Sequence, residues 1–146
     1  MPNERDLPKR YGISKARYRE LLYFVRQYDE KKALVNSSYG LTSTVCSGMP
    51  GAHNNSSPTE GAALRYEAEK SDVELIEKCA NKACNKNYAP GLYGLLMLNL
   101  AQGVSYIHMN APCGKVQFYN IRTEFFLIID DELKNRRTKG QESIYN

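Results

Sequence analysis

The chain has 146 residues, of which 42% are hydrophobic, and a formal net charge of +4. A chain of this length can form one compact domain, with or without a helical arm. The sequence has neither an apolar run of the roughly 18 residues that a membrane span requires nor a signal-peptide pattern at its start. We therefore expect a cytoplasmic protein that does not enter a membrane.

The cysteines and histidines have no metal-binding spacing. The chain has no CxxC pair, and its two histidines complete no ligand pattern with its four cysteines, which are Cys46, Cys79, Cys84 and Cys113. Unpaired thiols are typical of a reducing compartment. The sequence thus predicts no metal and no other cofactor.

Positive charge gathers towards the two ends of the chain. Residues 9–26 contain six basic residues and one acidic residue, and residues 134–139 contain four basic residues and no acidic one. A polyanion-binding face requires such a concentration of charge, although two solvated helix surfaces would give the same pattern.

Two long amphipathic helices are predicted before residue 90. The first begins after Ser14, a favourable N-cap, and continues to about Leu34 with apolar residues at three- and four-residue spacing. Residues 36–57 are rich in Ser, Asn and Gly and are typical of a flexible linker. The second helix begins at Pro58 after Ser57, which opens a capping box, and ends near Asn85.

The C-terminal third has the pattern of a helix-turn-helix. Residues 92–102 are nearly all apolar, Gly103 interrupts them, and a short helix is predicted at 104–109. A turn through Pro112 then leads into a long helix that continues to about 135. No segment alternates as a strand does, so we predict an all-α fold: a basic helix in 1–35, a linker in 36–57 and a helical domain in 58–146 with a helix-turn-helix at about 92–135.

The start of that long helix carries the residue types that contact duplex DNA. Gln and Asn can pair with adenine in two hydrogen bonds and Lys can donate to guanine, which predicts base contacts by Lys115, Gln117, Asn120 and Thr123. Contacts to phosphates position a protein without reading sequence. We predict these for Tyr119, Arg122, Arg136, Arg137 and Lys139.

Three stretches and their spacing resemble a known family. They are KRYGISKARYRELLYFVRQYDEKK, the linker SGMPGAHNNSSPTEGAALR and the segment GVSYIHMNAPCGKVQFYNIRTEFF. Together they are similar to the RinA/ArpU-type late-gene transcriptional activators of prophages in Gram-positive bacteria, related in their C-terminal part to the DNA-binding region of sigma factors. The resemblance implies a phage regulator in a bacterial host that binds double-stranded DNA, with host RNA polymerase and further copies of itself as candidate partners.

Two other functions remain open at this point. Small terminase subunits also combine a helix-turn-helix with helical oligomerisation segments, and the long charged helix after Pro58 suits such a packaging or assembly protein. An enzyme is disfavoured, because Asp130, Asp131 and Glu132 are consecutive and fan around a helix instead of converging. We therefore expect no catalytic residues.

Overall fold

The structure, a computed structural model, describes residues 12–42 and 58–145. In this part of the chain it consists of α-helices and two 3₁₀ turns, without strands, which confirms the all-α fold class. The helices are α1 (Lys15–Arg26), α2 (Tyr28–Thr42), α3 (Pro58–Lys86), α4 (Tyr93–Gln102) and α5 (Lys115–Tyr145). The 3₁₀ turns are Pro90–Leu92 and Tyr106–His108. The predicted cap at Ser57, most of the predicted linker, and the basic residues Lys9 and Arg10 lie outside the described residues.

The N-terminal helix differs from its prediction in one respect. The cap is confirmed, because Ser14 Oγ accepts a hydrogen bond of 3.1 Å from the backbone N–H of Arg17. The single helix predicted as far as about Leu34 is instead interrupted at Gln27, which ends α1. The second part, α2, continues to Thr42 and so includes the first residues of the predicted linker.

α2 packs along α3 and is not a free arm. Lys31 Nζ lies 2.7 Å from an Asp72 carboxylate oxygen, and Lys32 Nζ lies 2.8 Å from one of Glu77. The Tyr28 hydroxyl donates a 2.6 Å hydrogen bond to Glu77 as well. These contacts attach the first turns of α2 to α3, and such tertiary packing contributes most of the stability of helices in proteins.

α3 and α5 form a long antiparallel pair. Ion pairs join Lys86 to Glu124 near one end and Asp72 to Arg136, at 2.8 Å, near the other. A later residue of α5 is therefore paired with an earlier residue of α3, which shows that the two helices are antiparallel. None of the helices in the described part is both long and apolar enough to cross a membrane.

One core lies between α1, α3, α4 and α5. The sequence predicts an inward stripe of α5 through Phe118, Ile121, Phe125, Ile128 and Ile129, and all of these are fully buried except Ile128, which is half-buried. Phe126 is buried too, and its ring meets the ring of Tyr18 from α1 edge to face, with centroids 4.9 Å apart. The other main contributors are Leu21, Val25, Ile76, Cys79, Cys84, Leu96 and Leu100.

Candidate nucleic-acid interface

The connection between α4 and α5 sets how the first turns of α5 are presented. α4 ends at Gly103, which has φ +72° and donates its backbone N–H to the carbonyl of Asn99 at 2.9 Å. Glycine adopts this left-handed conformation without steric penalty. The short helix predicted at 104–109 is only a three-residue 3₁₀ turn, Tyr106–His108. The whole connection, 103–114, is longer than the three- or four-residue turn usual in a helix-turn-helix.

A hydrogen-bond network fixes this connection to the side of α5. The Asn99 side chain is buried and donates from Nδ2 to the carbonyl oxygen of Val104 at 2.8 Å. Its Oδ1 accepts a 2.8 Å hydrogen bond from Nε of Arg122 in α5. The Tyr106 hydroxyl donates to the Cys113 carbonyl just before α5 begins. One buried amide thus links the end of α4, the connection and the second turn of α5.

Arg122 is engaged inside the molecule. Its guanidinium carbon lies 4.9 Å from the centroid of the Phe126 ring and 5.7 Å from that of Tyr18. Stacking over two aromatic rings while bonded to Asn99 gives this side chain a positioning role between α1, α4 and α5. The phosphate contact predicted for Arg122 would have to compete with these interactions.

Three of the four residues predicted to contact bases are exposed on the first two turns of α5. Lys115 is the first residue of the helix, and Gln117 and Asn120, three positions apart, are neighbours on its outer face. Phe118 and Ile121, on the same turns, are fully buried. The exposed surface of these turns thus consists of Lys115, Gln117, Asn120 and the apolar Val116, which is 75% exposed.

Thr123 does not share this surface. Its side chain is buried, with 9% exposure, and its hydroxyl donates to the carbonyl of Tyr119 at 2.9 Å. The outward orientation predicted for Thr123 is therefore wrong, because its hydroxyl is buried and bonded within its own helix. Tyr119 itself is half-buried, with its ring against Phe118.

The basic residues near the end of α5 are used largely within the molecule. Arg136 donates to Asp72 at 2.8 Å and to the Ser71 hydroxyl at 2.7 Å, which ties α5 to α3. Arg137 lies 3.3 Å from a Glu20 carboxylate oxygen of α1. Lys139 is exposed. Arg136 and Arg137 are thus paired with acidic residues. Their pairing reduces the net positive charge that the sequence predicts near the C-terminal end of α5.

The carboxylates of α5 do not converge on a common point. Asp130 is buried between Arg17 Nε, at 2.7 Å, and Lys134 Nζ, at 2.9 Å, whereas its neighbour Asp131 is exposed. Glu132 instead faces Lys82 of α3 at 3.4 Å. Asp130, Asp131 and Glu132 therefore lie in three different environments.

The described cysteines are free and mostly buried. Burial raises the pKa of the Cys79 thiol to about 11 and also raises that of Cys84. Over residues 12–42 and 58–145, no three His, Cys, Asp or Glu side chains come together as a metal site would need.

Sequence reasoning missed the role of the buried Asn99. A hydrogen-bonded role for Asn99 could have been predicted from the sequence, since Asn99 is the one amide inside the apolar segment LYGLLMLNLA. Buried amides are almost always hydrogen-bonded. The exposed basic residues of α1, Lys15 and Arg19, belong to the segment KRYGISKARYREL, whose turn and basic helix make it a candidate for a second DNA contact or for docking on a polymerase. Comparison of the chain with protein-family models, with curated proteins and with solved structures gave no match.

Proposed function

We propose that the chain is a transcriptional regulator that binds duplex DNA by placing the first two turns of α5 in the major groove. The observation that carries the proposal is the exposed set of Lys115, Gln117 and Asn120 on a helix start whose other side is buried. A major groove about 12 Å wide admits a helix, and these three side-chain types can contact guanine or adenine edges.

The rigidity of the support favours recognition of sequence. The hydrogen bonds of Asn99 to Val104 and Arg122 hold α5 against the preceding connection. A binding site held by packed and hydrogen-bonded neighbours keeps its side chains in register with base edges, whereas a flexible tip would not.

The biological role rests on the resemblance of the sequence to the RinA/ArpU-type activators. It suggests that the preferred duplex lies in a prophage genome near the gene for this chain, and that host RNA polymerase is a partner. On this proposal the protein acts in the bacterial cytoplasm and needs neither a cofactor nor catalytic residues.

The proposal is tested with a neutral double substitution, Gln117→Ala/Asn120→Ala. Binding is measured by fluorescence anisotropy on fragments from around the gene and on random-sequence duplex. The variant should lose at least about tenfold of its preference for the best fragment, because each bidentate base contact is worth about 1–3 kcal/mol. Its affinity for random duplex should not change, since no charge is altered.

A matched control distinguishes recognition from general surface effects. Asn81→Ala/Asn85→Ala removes two amides from exposed positions of α3 and should leave the preference unchanged. If the α5 variant and the control both keep the wild-type preference, α5 does not read the sequence.

A second candidate is a small terminase-like packaging or assembly protein. One observation favours it: Leu64 of α3 is 69% exposed and Leu34 of α2 is 47% exposed. Exposed leucines on long helices are suited to contacts between copies. A ring-sized assembly in light scattering would support this candidate, whereas a monomer or dimer would count against it.

A further inference from the structure

A row of cations lies on the exposed side of α1. Lys15 and Arg19 are four residues apart, the exposed Tyr23 follows four residues later, and Arg26 three residues after that. Such spacing places all four side chains on the same side of a helix. We call Lys15, Arg19, Tyr23 and Arg26 the α1 basic face.

The acid of α1 points elsewhere. Glu20 is paired with Arg17 of its own helix at 2.9 Å and with Arg137 of α5 at 3.3 Å. Lys15 and Arg19, in contrast, make no salt bridge to a described residue. The α1 basic face therefore keeps its positive charge, whereas Arg136 and Arg137 of α5 have acidic partners.

The position of these charges is unfavourable for the helix itself. α1 has no acidic residue in its first turn, where Lys15 and Arg17 lie instead. The N-terminal end of a helix is the positive end of its macrodipole, so cations there reduce helix stability. Lys15 thus has no stabilising role within the described structure, but it adds to the attraction of a polyanion.

Two contacts link α1 with the connection and with α5, one through Arg26 of the α1 basic face and one through the buried Tyr18. A Cβ atom at Gly103 would lie 2.5 Å from Nη1 of Arg26, so that guanidinium covers the beginning of the connection that leads into α5. Arg122 of α5 in turn faces the Tyr18 ring of α1. Arg26, at the C-terminal end of the α1 basic face, therefore borders the connection whose other end leads to Lys115, Gln117 and Asn120.

We infer that the α1 basic face binds the phosphate backbone of the duplex that α5 contacts, in the role that the sequence assigned to the end of α5. The inference rests on the proposed function. A row of side chains rising about 6 Å between Lys15 and Arg19 suits a linear polyanion, and a tyrosine hydroxyl can also donate to phosphate. These contacts position the protein and carry no base preference.

The test compares the wild-type chain with Lys15→Gln/Arg19→Gln, on the preferred fragment and on random duplex, between about 50 mM and 200 mM salt. Loss of two phosphate contacts should make the slope of log K against log salt shallower by about 1.8. Both duplexes should be weakened by the same factor. The temperature of thermal unfolding should not be lower than in the wild-type chain, because the removed charges do not stabilise α1.

The control carries the same change of charge on another surface. Lys78→Gln/Lys82→Gln removes two cations that face Glu132 from α3, and it should leave the salt slope near the wild-type value. A wild-type slope in the α1 variant, or a loss confined to the preferred fragment, overturns the inference and leaves the proposed function standing. A wild-type chain that binds no duplex at low salt overturns both.

Discussion

Asp130 and Arg17 form an ion pair between α5 and α1 with little access to solvent. Their side chains are 6% and 15% exposed, and the Arg17 Nε to Asp130 Oδ1 distance is 2.7 Å. Burial would raise the pKa of Asp130, but the hydrogen bonds from Arg17 and Lys134 outweigh it and hold that pKa below its usual value. A charge so placed stabilises the fold only while its partner is present.

Removing one charge of this pair should destabilise the protein. Asp130→Asn is expected to reduce the free energy of unfolding by about 1.5–3 kcal/mol, because Arg17 loses its buried partner and keeps only the more exposed Glu20. The adjacent Asp131→Asn, at an exposed position, should change it by less than about 0.5 kcal/mol. Urea unfolding at neutral pH measures both, and equal midpoints would refute the structural role of Asp130.

The same carboxylate gives stability a defined dependence on pH. The pKa values of Asp130 and Asp72 are lowered in the folded chain, so the folded state binds fewer protons than the unfolded one as the pH falls. Their contribution is fully present well above the unfolded Asp pKa of about 3.9 and is lost as the pH falls through the lower folded values.

Asp72 and Asp130 should accordingly cause no change with pH in the urea concentration at the unfolding midpoint near neutral pH. At acidic pH, around and below about 4, the midpoint should fall. The fall should be smaller in Asp130→Asn, which has already lost one of the two groups. An identical fall in both proteins would show that Asp130 is not linked to folding.

At the scale of elements, sequence patterns predicted helices better than their interruptions. The cap at Ser14 and the start of α3 at Pro58 follow from local chemistry that the sequence displays. The break at Gln27 does not, because Tyr28 continues the spacing of Tyr18, Leu21 and Val25. The attachment of α2 to α3 through Tyr28, Lys31 and Lys32 was not predictable either, because the partners Asp72 and Glu77 lie too far away in sequence for a periodicity argument to find.

Gly103 and Gly94 provide a matched test of the α4 boundary. Gly103→Ala should destabilise the chain by about 1–2 kcal/mol, since alanine is strained at positive φ and its Cβ would displace Arg26. Gly94 lies inside α4 with open space around it, so Gly94→Ala should stabilise the chain by about 0.5–1 kcal/mol. Thermal unfolding of both variants measures the contrast, and a stabilising Gly103→Ala would contradict the left-handed cap.

At the scale of the whole molecule, charge pairing decides which predicted contacts remain available. The sequence shows that positive charge is concentrated towards both ends of the chain. Only the fold shows that Arg136 faces Asp72 and that Arg137 faces Glu20. The exposed start of α5 was predictable, because the stripe through Phe118 and Ile121 fixes which side faces out. The burial of Thr123 was not predictable, since Thr123 lies off the stripe through Phe118, Ile121 and Phe125.

The central claim is that this helical molecule binds duplex DNA and discriminates between sequences. The most direct measurement is the affinity of the unmodified chain for fragments from around its gene and for random duplex at a series of salt concentrations. Fluorescence anisotropy monitors the binding. We predict that one fragment binds at least about 1,000-fold more tightly than random duplex, and that log K falls linearly with log salt. No binding to any duplex at about 50 mM salt, or equal affinity for all of them, would contradict the claim.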